Sequence, residues 1–431
     1  MEYVDHYECT LCHKTYPKSS HLMTCPSCGE KGILEIVYDY DSMKKVVTKD
    51  YFKNNPINNI LRYTPLMSIN ETNRDILDVG NTPLYTSSTL ANQLGLKNLY
   101  IKDEGLNPTA SLKDRASVVA CLKAIEDGQD TICCSSTGNA ASSLAGNAAK
   151  LGLNAVIMVP ERAPLGKLTQ LVMYGSNVVK VKGDYKAAFN ASKKAIDKYH
   201  LYNRNASINP HLVEGKKTVI YEVIEQLNFT DLDYVIVSVG DGCTIAGIYK
   251  GLYDFKQLGL ISRIPRIIGV QAEGCAPFYT AFMNNAELKE TDELTIADSI
   301  AVGIPRNPVK GLNAIKKSNG FYMTVTDKEI INAIGLLGKT EGIFAEPAAA
   351  ASIAGLIKLT NENKFNSTDR IAVIVTGNGL KDTVSVSEQV ESDTLYFIPE
   401  VHNVLFNNSD TVKNFISKLK QTNTKNRKET I

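Results

Sequence analysis

The chain has 431 residues, of which 43% are hydrophobic and 22% charged, and its formal net charge at pH 7 is +1. This composition is typical of a soluble globular protein of two or three domains, and the balanced charge argues against nucleic acid or an anionic membrane as its main partner. Because no apolar run approaches the roughly 20 residues that cross a bilayer and the polar N-terminus is unlike a signal peptide, we expect a cytoplasmic protein that acts on a small molecule.

Two Cys-x-x-Cys pairs stand at the beginning of the chain. They consist of Cys9 with Cys12 and Cys25 with Cys28. Such pairs are typical of tetrahedral thiolate ligation of Zn²⁺, although iron accepts the same four sulfurs and ordinary reduced thiols are the alternative. Four protein ligands leave no open coordination position, so the metal would be structural. Residues 1–32 are therefore predicted to form a zinc-ribbon-like module.

After this module the sequence pattern changes near residue 82. A strand is predicted at residues 33–38, and residues 41–78 are predicted to be a linker with short helices. Further strands are predicted at residues 98–102, 131–134, 155–159, 178–181, 234–239, 267–270 and 371–375, and helices at residues 116–127, 140–151 and 165–174. Short β-branched strands that alternate with helices predict an α/β fold, with parallel sheets that carry helices on both faces.

Three strand-to-helix turns carry small or polar residues, at residues 135–139, 240–244 and 376–382. In open α/β sheets the ligand crevice forms at such turns. The hydroxyls and amides of the first turn suit an anion such as a carboxylate. The glycines of the second let amides close around a phosphate, provided that Asp241 points away, although glycines are also ordinary turn residues.

A fourth segment, residues 104–115, places Lys113 beside Asp114 and Arg115 at the predicted start of a helix. Taken alone, this segment is better explained as a helix cap at Asp114 with solvated charges around it.

Together the four segments resemble fold type II enzymes that use pyridoxal 5′-phosphate (PLP), which are tryptophan synthase β-like, and most closely the threonine synthase family. The resemblance extends from about residue 80 to residue 382. It is carried by Asn-Pro-Thr at 107–109, Ser-x-Lys-Asp-Arg at 111–115, Ser-Thr-Gly-Asn at 136–139, Glu-Pro at 346–347 and Thr-Gly-Asn-Gly-Leu-Lys-Asp at 376–382. The two cysteine pairs are similar to those at the N-terminus of some threonine synthases.

The resemblance implies two α/β domains with PLP in the cleft between them, in addition to the zinc ribbon. We expect residues 33–117 to form a linker and the start of the large PLP domain, and residues 206–400 to complete that domain. Residues 118–205 would form a small domain that closes over the substrate and excludes water. Residues 401–431 are expected to form a polar, basic tail. A homodimer is the expectation for the family.

The resemblance also implies roles for particular residues. Lys113 would bind PLP covalently and then move protons at the substrate's carbons. Asn139 would hydrogen-bond the cofactor's ring oxygen, and Thr376 would face its pyridine nitrogen. The cofactor's phosphate would be held by Gly240, Asp241, Gly242, Cys243 and Thr244. The substrate would be held by Ser136, Thr137 and Gly138 at its carboxylate and by Ser207.

One segment departs from the threonine synthase pattern. The family shows Asn-Ser-x-Asn-Pro-x-Arg, whose Asn, Ser and Arg help to hold the substrate's phosphate. Here Ala206 stands at the Asn position and Leu212 at the Arg position. His211 and Lys216 are possible donors, but neither offers the planar fork of arginine. The sequence therefore favours a leaving group or substrate other than O-phosphohomoserine.

The leading hypothesis is a PLP-dependent lyase of amino-acid biosynthesis that eliminates or replaces a group at the β or γ carbon of a small amino acid. The enzymatic alternatives are a serine or threonine dehydratase and a cysteate-synthase-like β-replacing enzyme. The alternative of another class is a non-catalytic scaffold that binds partners through the zinc ribbon. The presence of Lys113, Asn139 and Thr376 argues against the scaffold.

Overall fold

The computed structural model describes residues 1–70, 73–163, 165–206 and 208–387, apart from the side chain of Lys167. The predicted substrate residue Ser207 and the predicted tail at residues 401–431 lie outside the described residues. None of the helices in the described part of the chain is long and apolar enough to cross a membrane.

Strands and helices alternate along most of the described chain. The strands are β1 (Val4–Cys9), β2 (Thr15–Pro17), β3 (Leu34–Tyr38), β4 (Leu84–Thr86), β5 (Asn98–Asp103), β6 (Thr131–Ser135), β7 (Asn154–Pro160), β8 (Asn177–Val181), β9 (Tyr202–Asn203), β10 (Tyr234–Ser238), β11 (Arg266–Ala272), β12 (Phe321–Val325) and β13 (Arg370–Val375). The helices are α1 (Tyr40–Met43), α2 (Lys49–Asn54), α3 (Thr89–Gln93), α4 (Lys113–Glu126), α5 (Asn139–Leu151), α6 (Leu165–Met173), α7 (Tyr185–Tyr199), α8 (His211–Gln226), α9 (Cys243–Gln257), α10 (Pro277–Met283), α11 (Pro308–Lys317), α12 (Asp327–Glu341), α13 (Pro347–Asn361) and α14 (Val384–Ser387).

The N-terminal strands form a small antiparallel sheet in the order β2-β1-β3. Because β3 pairs with β1, this sheet extends to Tyr38, beyond residue 32 where the module was predicted to end. Tyr7, Ile36 and Tyr38 are buried in the same hydrophobic cluster as the apolar side chains of β10 and α8. The N-terminal module therefore shares one hydrophobic core with β10 and α8 and is not a separate domain.

The largest sheet has the strand order β12-β11-β10-β13-β5-β4, and its pairs are parallel except that β4 runs antiparallel to β5. The central strands are almost continuously apolar, as in β13, where Ile371–Val375 are buried. Such strands are covered by helices on both faces.

Helices α4 and α8 approach each other closely beside this sheet. A Cβ atom at Gly215 of α8 would lie 2.1 Å from the carbonyl oxygen of Arg115 in α4. Only glycine fits at this contact, which fixes the start of α4 against the start of α8.

A second parallel sheet has the order β8-β7-β6-β9. Its hydrophobic cluster includes apolar side chains of α4 and of the alanine-rich helix α5, such as Ala120 and Ala145. Gly152, in the left-handed conformation with φ of 72°, ends α5 at the predicted residue 151. The two parallel sheets with their flanking helices confirm the predicted α/β fold class.

The predicted elements agree with the structure in type but differ at their ends. Helix α4 begins at Lys113, earlier than the predicted residue 116, so the predicted catalytic lysine is itself helical. Strand β12 was not predicted, because Phe321–Val325 lacks the β-branched run that identified the other strands.

Candidate active site

Strands β5, β10 and β13 are adjacent in the large sheet and run in the same direction, so the segments that follow them meet at one edge. Backbone hydrogen bonds join two of these segments. Leu112 N donates to Thr376 O at 2.9 Å, and Asn378 N donates to Ala110 O at 3.1 Å. The segment that carries Lys113 is therefore fixed against the turn that carries Thr376, although the two are far apart in sequence.

Lys113 is the first residue of α4 and keeps only a small accessible surface. Its amine makes no hydrogen bond or ion pair with any residue that the structure describes. Burial, and after it the positive charge of nearby Lys216, lower the pKa of this amine to about 8. An amine with a lowered pKa is more often neutral and therefore more nucleophilic at neutral pH.

The charged neighbours of Lys113 are not solvated, contrary to the simplest explanation of the segment. Asp114 is buried and accepts hydrogen bonds from Thr109 N, Thr109 Oγ1 and Asn147 Nδ2, each at 2.8 Å. It therefore ties the loop before α4 to α5 and does not cap α4. Burial raises the pKa of Asp114 to about 6.

Arg115 is also fully buried and links three elements. Its guanidinium contacts Glu104, in the short 3-10 helix after β5, at 2.6 Å, and Glu222 of α8 at 2.7 Å. Lys102 of β5 contacts the same Glu222 carboxylate at 2.8 Å. This network holds the start of α4 in place, and Lys113 takes no part in the contacts among Lys102, Glu104, Arg115 and Glu222.

The turn between β10 and α9 has the features of a phosphate cradle. Gly242 caps the 15-residue helix α9 with φ of 83°, a conformation that disfavours other residues. Within the described chain, no group accepts a hydrogen bond from the backbone amides of Gly240, Gly242 or Thr244. These amides at a helix N-terminus fit a phosphate group.

Asp241, whose charge would oppose a phosphate, is held by the neighbouring loop. Its Oδ1 accepts from Arg306 N at 3.2 Å, and Oδ2 lies 3.9 Å from the Arg306 guanidinium. The carboxylate therefore pairs with Arg306, which satisfies the condition set for a phosphate site at this turn. Cys243, next in the chain, packs its sulfur 3.8 Å from Asn307 Nδ2.

Asn139 lies at the start of α5, where its amide faces α13. Its Nδ2 donates to Glu346 at 2.8 and 3.0 Å and lies 3.3 Å from Ser299 Oγ. Burial raises the pKa of Glu346, and the hydrogen bonds from Asn139 offset part of that rise. The sequence identified Glu346 within a motif but gave it no role, since its partner lies 207 residues away.

Thr376 is half-buried at the end of β13. Its side-chain hydroxyl has no hydrogen-bond partner among the residues that the structure describes, so it is available to a ring nitrogen. A neutral hydroxyl at this place does not require a protonated partner. The Lys113 amine, the Gly240–Thr244 amides and the Thr376 hydroxyl together fit PLP.

The predicted carboxylate turn, Ser136, Thr137 and Gly138, is half-buried at the start of α5. Gly138 N donates to Ser136 Oγ at 3.2 Å, which closes the turn. A Cβ atom at Gly138 would meet nothing within 4 Å, so open space lies beside this turn.

The segment that departs from the family pattern is buried in the protein. Leu212 is 1% exposed and belongs to the hydrophobic cluster of the second parallel sheet. His211 Nδ1 lies 2.7 Å from Ser68 Oγ, and burial lowers the pKa of His211 to about 3, so this imidazole is neutral. Neither residue supplies a cation, whereas Lys216, one turn further along α8, is 3% exposed and close enough to Lys113 to lower its pKa.

The four N-terminal cysteines form one cluster. The Sγ atoms of Cys9, Cys12, Cys25 and Cys28 all lie within 4.8 Å of one another. The chain turns back tightly at the second pair, where Cys28 N donates to Cys25 O at 3.2 Å, and the Tyr16 hydroxyl lies 3.0 Å from Cys25 Sγ. Four sulfurs at this spacing fit a tetrahedral zinc site.

Comparison with known proteins agrees with this geometry. Residues 76–377 match the family described as pyridoxal-phosphate dependent enzyme. A threonine synthase from Methanocaldococcus jannaschii is 41% identical over 378 residues, which cover 87% of this chain and 92% of the relative. A threonine synthase from Methanosarcina acetivorans is 37% identical over 393 residues, which cover 90% of this chain and 95% of the relative.

A solved structure shows the same fold at greater distance. The processed form of threonine deaminase isoform 2 from Solanum lycopersicum superposes with a TM-score of 0.61 at 23% identity, covering 72% of this chain and 83% of that one. The alignments with both threonine synthases and the family match over residues 76–377 agree with the resemblance found in the sequence. The chain therefore belongs to the threonine synthase family of pyridoxal-phosphate dependent enzymes, and it is a carbon–oxygen lyase.

Proposed function

We propose that the chain converts O-phosphohomoserine and water to threonine and phosphate with PLP as its cofactor. The observation that carries the proposal is the Lys113 amine, which has no partner among the described residues and lies near the buried cation Lys216. It belongs to the same edge of the large sheet as the turn that is proposed to hold the cofactor's phosphate. The two archaeal relatives named threonine synthase, aligned over 92% and 95% of their own length, support the same reaction.

Different residues around the proposed cleft would bind different parts of PLP. Lys113 would hold it covalently, the amides of residues 240–244 would hold its phosphate, and Thr376 would face its ring nitrogen. Asn139 would donate to the ring oxygen, with Glu346 orienting its amide. When bound, PLP withdraws electrons from the carbons of the substrate next to the amino group.

The reaction breaks the bond between the γ carbon and the phosphate oxygen, and phosphate leaves with the electron pair. The γ carbon gains a proton and becomes a methyl group, while the β carbon loses a proton and gains the hydroxyl of water. Lys113, whose pKa of about 8 lies near working pH, would remove and return these protons. The turn formed by Ser136, Thr137 and Gly138 would hold the substrate's carboxylate.

Product analysis tests this proposal. The holoenzyme is incubated separately with O-phosphohomoserine, O-phosphoserine, O-acetylserine, serine and threonine, and free phosphate, amino acids and keto acids are measured. We expect equal amounts of threonine and phosphate from O-phosphohomoserine. Faster formation of keto acids from serine or threonine would assign the chain to the dehydratases instead.

A β-replacing enzyme with a different leaving group is the second candidate. It is favoured by Leu212, which takes the place of the phosphate-binding arginine and is packed in the core. In the same experiment, this candidate predicts consumption of O-phosphoserine or O-acetylserine together with an added nucleophile such as sulfide or sulfite. It also predicts little release of phosphate from O-phosphohomoserine.

The cysteine cluster is proposed to hold a structural Zn²⁺. All four ligand positions are filled by Cys9, Cys12, Cys25 and Cys28, so the ion would have no open position for a substrate. Its contribution would be to the fold of the N-terminal sheet and not to catalysis.

A further inference from the structure

Arg204 follows β9 in the second parallel sheet and is 2% exposed. Its backbone N donates to Cys133 O at 2.9 Å. Its side chain donates to a single described acceptor, Ser117 Oγ, from Nε at 3.2 Å and Nη2 at 3.0 Å. Burial lowers the pKa of Arg204, and the side chains that offset this most are thiols and a tyrosine rather than carboxylates. Among the described residues, this guanidinium has no ion-pair partner.

Lys216 of α8 is a second buried cation without an ion-pair partner among the described residues. It is 3% exposed, and its amine makes no hydrogen bond or ion pair within the described chain. The other buried cations of the described chain each contact a carboxylate at 2.6–3.1 Å: Lys102, Arg115, Lys123, Lys217, Lys250 and Lys310. A buried charge without a partner is energetically costly. Two buried cations that both lack a partner among the described residues therefore indicate a place for an anion.

Both cations lie beside Lys113. Ser117, which holds the Arg204 side chain, is one helical turn after Lys113 on α4 and therefore shares its face. Lys216 follows Gly215 at the contact between α4 and α8, and its charge is the one that most lowers the pKa of Lys113. The carboxylates that are closest in the site are engaged elsewhere, Asp241 by Arg306 and Glu346 by Asn139.

We propose that Arg204 and Lys216 form the subsite for the phosphate leaving group, in place of the arginine that the family pattern has at position 212. This proposal rests on the function proposed above and names the residues that set its specificity. The cofactor's phosphate has its own cradle of amides at Gly240–Thr244, so the two cations remain available for a second anion. Ser117 fixes one edge of the Arg204 guanidinium, and Nη1 donates to no acceptor among the described residues.

The loss of one arginine is thus compensated by another in a different segment. Leu212 and Arg204 stand at opposite ends of the loop that joins β9 to α8. Arg204 directly follows β9, and Leu212 lies in the first turn of α8. The leucine joins the hydrophobic cluster of the second sheet, and the cation comes from the strand end instead.

The test compares the wild-type holoenzyme with Arg204→Gln, Arg204→Lys and Lys216→Gln, and uses Arg263→Gln as a control. Arg263 is exposed and pairs with Asp233 near the opposite ends of the strands, at 2.5 Å. Inorganic phosphate binding is measured by ³¹P NMR and calorimetry. Binding of L-norvaline, which has the carboxylate but no phosphate, is measured from the change in cofactor absorbance.

We expect Arg204→Gln to weaken phosphate binding and to raise KM for O-phosphohomoserine, each by roughly 10- to 100-fold, because a charge-assisted hydrogen bond is lost. Norvaline binding should change by less than about twofold, which a general loss of structure would not allow. Arg204→Lys should retain part of the phosphate affinity, Lys216→Gln should lose part of it, and Arg263→Gln should match the wild type.

Other outcomes would overturn either the subsite or the proposed function, and they distinguish the two. If Arg204→Gln binds phosphate like the wild type while threonine is formed, the subsite is wrong and the function stands. If norvaline affinity falls as much as phosphate affinity, Arg204 binds the carboxylate instead. If the wild type releases no phosphate from O-phosphohomoserine but binds phosphate through Arg204, the function is wrong and the subsite stands. Should Arg204→Gln not fold, phosphate must still stabilise the wild-type holoenzyme against heat and do so less in Lys216→Gln, and failure of either rejects the subsite.

Discussion

Lys113 stands at the start of α4 with its amine next to Lys216 and without a carboxylate partner among the described residues. Burial disfavours its charged form, and the neighbouring positive charge does so as well. Arg115, two residues further along α4, shows the opposite arrangement, since two carboxylates hold it charged and fixed. Two cations that are separated by one residue thus have different roles, one in structure and one, as proposed, in chemistry.

Replacement of Lys113 by alanine tests its proposed role. Lys113→Ala should lose covalently bound PLP, its yellow colour and essentially all turnover, because no other described amine is proposed to attach the cofactor. Lys150→Ala, which removes a partly exposed lysine at the end of α5, is the matched control and should retain all three. A borohydride-reducible adduct that persists in Lys113→Ala would show that another lysine binds PLP.

The pH dependence of cofactor capture follows from the lowered pKa of Lys113. With a pKa of about 8, roughly a tenth of the amine is neutral at pH 7 and nine tenths at pH 9. The rate at which PLP-free protein captures PLP, followed by absorbance in a stopped-flow instrument, should therefore rise about tenfold over this interval and then level off.

Lys216→Gln should move this plateau to higher pH, because removal of a like charge raises the pKa of Lys113. A wild-type rate that still climbs tenfold between pH 9 and pH 10 would instead indicate a lysine with an ordinary pKa.

At the scale of elements, the N-terminus of α9 is shaped by one glycine. Gly242 has φ of 83°, and a Cβ atom there would lie 2.6 Å from the ring of Phe278 and 2.8 Å from Asn307 O. Both the backbone conformation and the lack of space therefore require glycine at this end of the helix.

Gly242→Ala should weaken PLP binding by tenfold or more, since the displaced turn would no longer present its amides to the phosphate. Gly259→Ala, just beyond the other end of α9, is the matched control: φ there is 74°, but a Cβ atom would meet nothing within 4 Å. It should cost about 1–2 kcal/mol of stability from backbone strain and leave PLP affinity unchanged. Equilibrium dialysis gives the affinities. Equal PLP affinity in the two variants would show that residues 240–244 do not hold the cofactor's phosphate.

At the scale of the whole molecule, the N-terminal sheet is part of the common core. Lys310 of α11 donates to Leu34 O at 2.7 Å, and the Tyr38 hydroxyl donates to Glu214 of α8. Loss of the proposed zinc would therefore loosen the packing behind α8 as well as the module itself.

Cys25→Ser should abolish stoichiometric zinc and lower the free energy of unfolding by several kcal/mol, because metal binding and folding are coupled. Below its new unfolding temperature the variant should retain the PLP absorbance spectrum, since Cys25 lies outside the proposed cofactor site. Cys275→Ser, a buried thiol outside the cluster, should keep its metal. Wild-type protein purified without chelator that contains no metal in elemental analysis would overturn the zinc proposal.

The homodimer implied by the family resemblance stays a prediction for the whole molecule, as does the cytoplasmic location. Analytical ultracentrifugation of the holoenzyme measures the first directly.

Local sequence by itself determined the type of the strands and helices that were predicted, because apolar β-branched runs and alanine-rich stretches have few alternative structures. It also identified the cysteine cluster and the short motifs around Lys113, Asn139 and Thr376, since their chemistry depends on residue type and close spacing. Each of these features lies within a short stretch of neighbouring residues, so a single sequence suffices to find it.

The tertiary structure decided which of these residues have partners. Asp114 proved to be a buried link to α5, and Glu346 a partner of Asn139. Arg204 proved to be a buried cation that contacts Ser117 and has no ion-pair partner among the described residues. No local pattern marks Arg204, because the pairing of a charge depends on which distant segments fold against it. Burial then gives that pairing its energetic weight, since an unpaired charge is costly only where water is excluded.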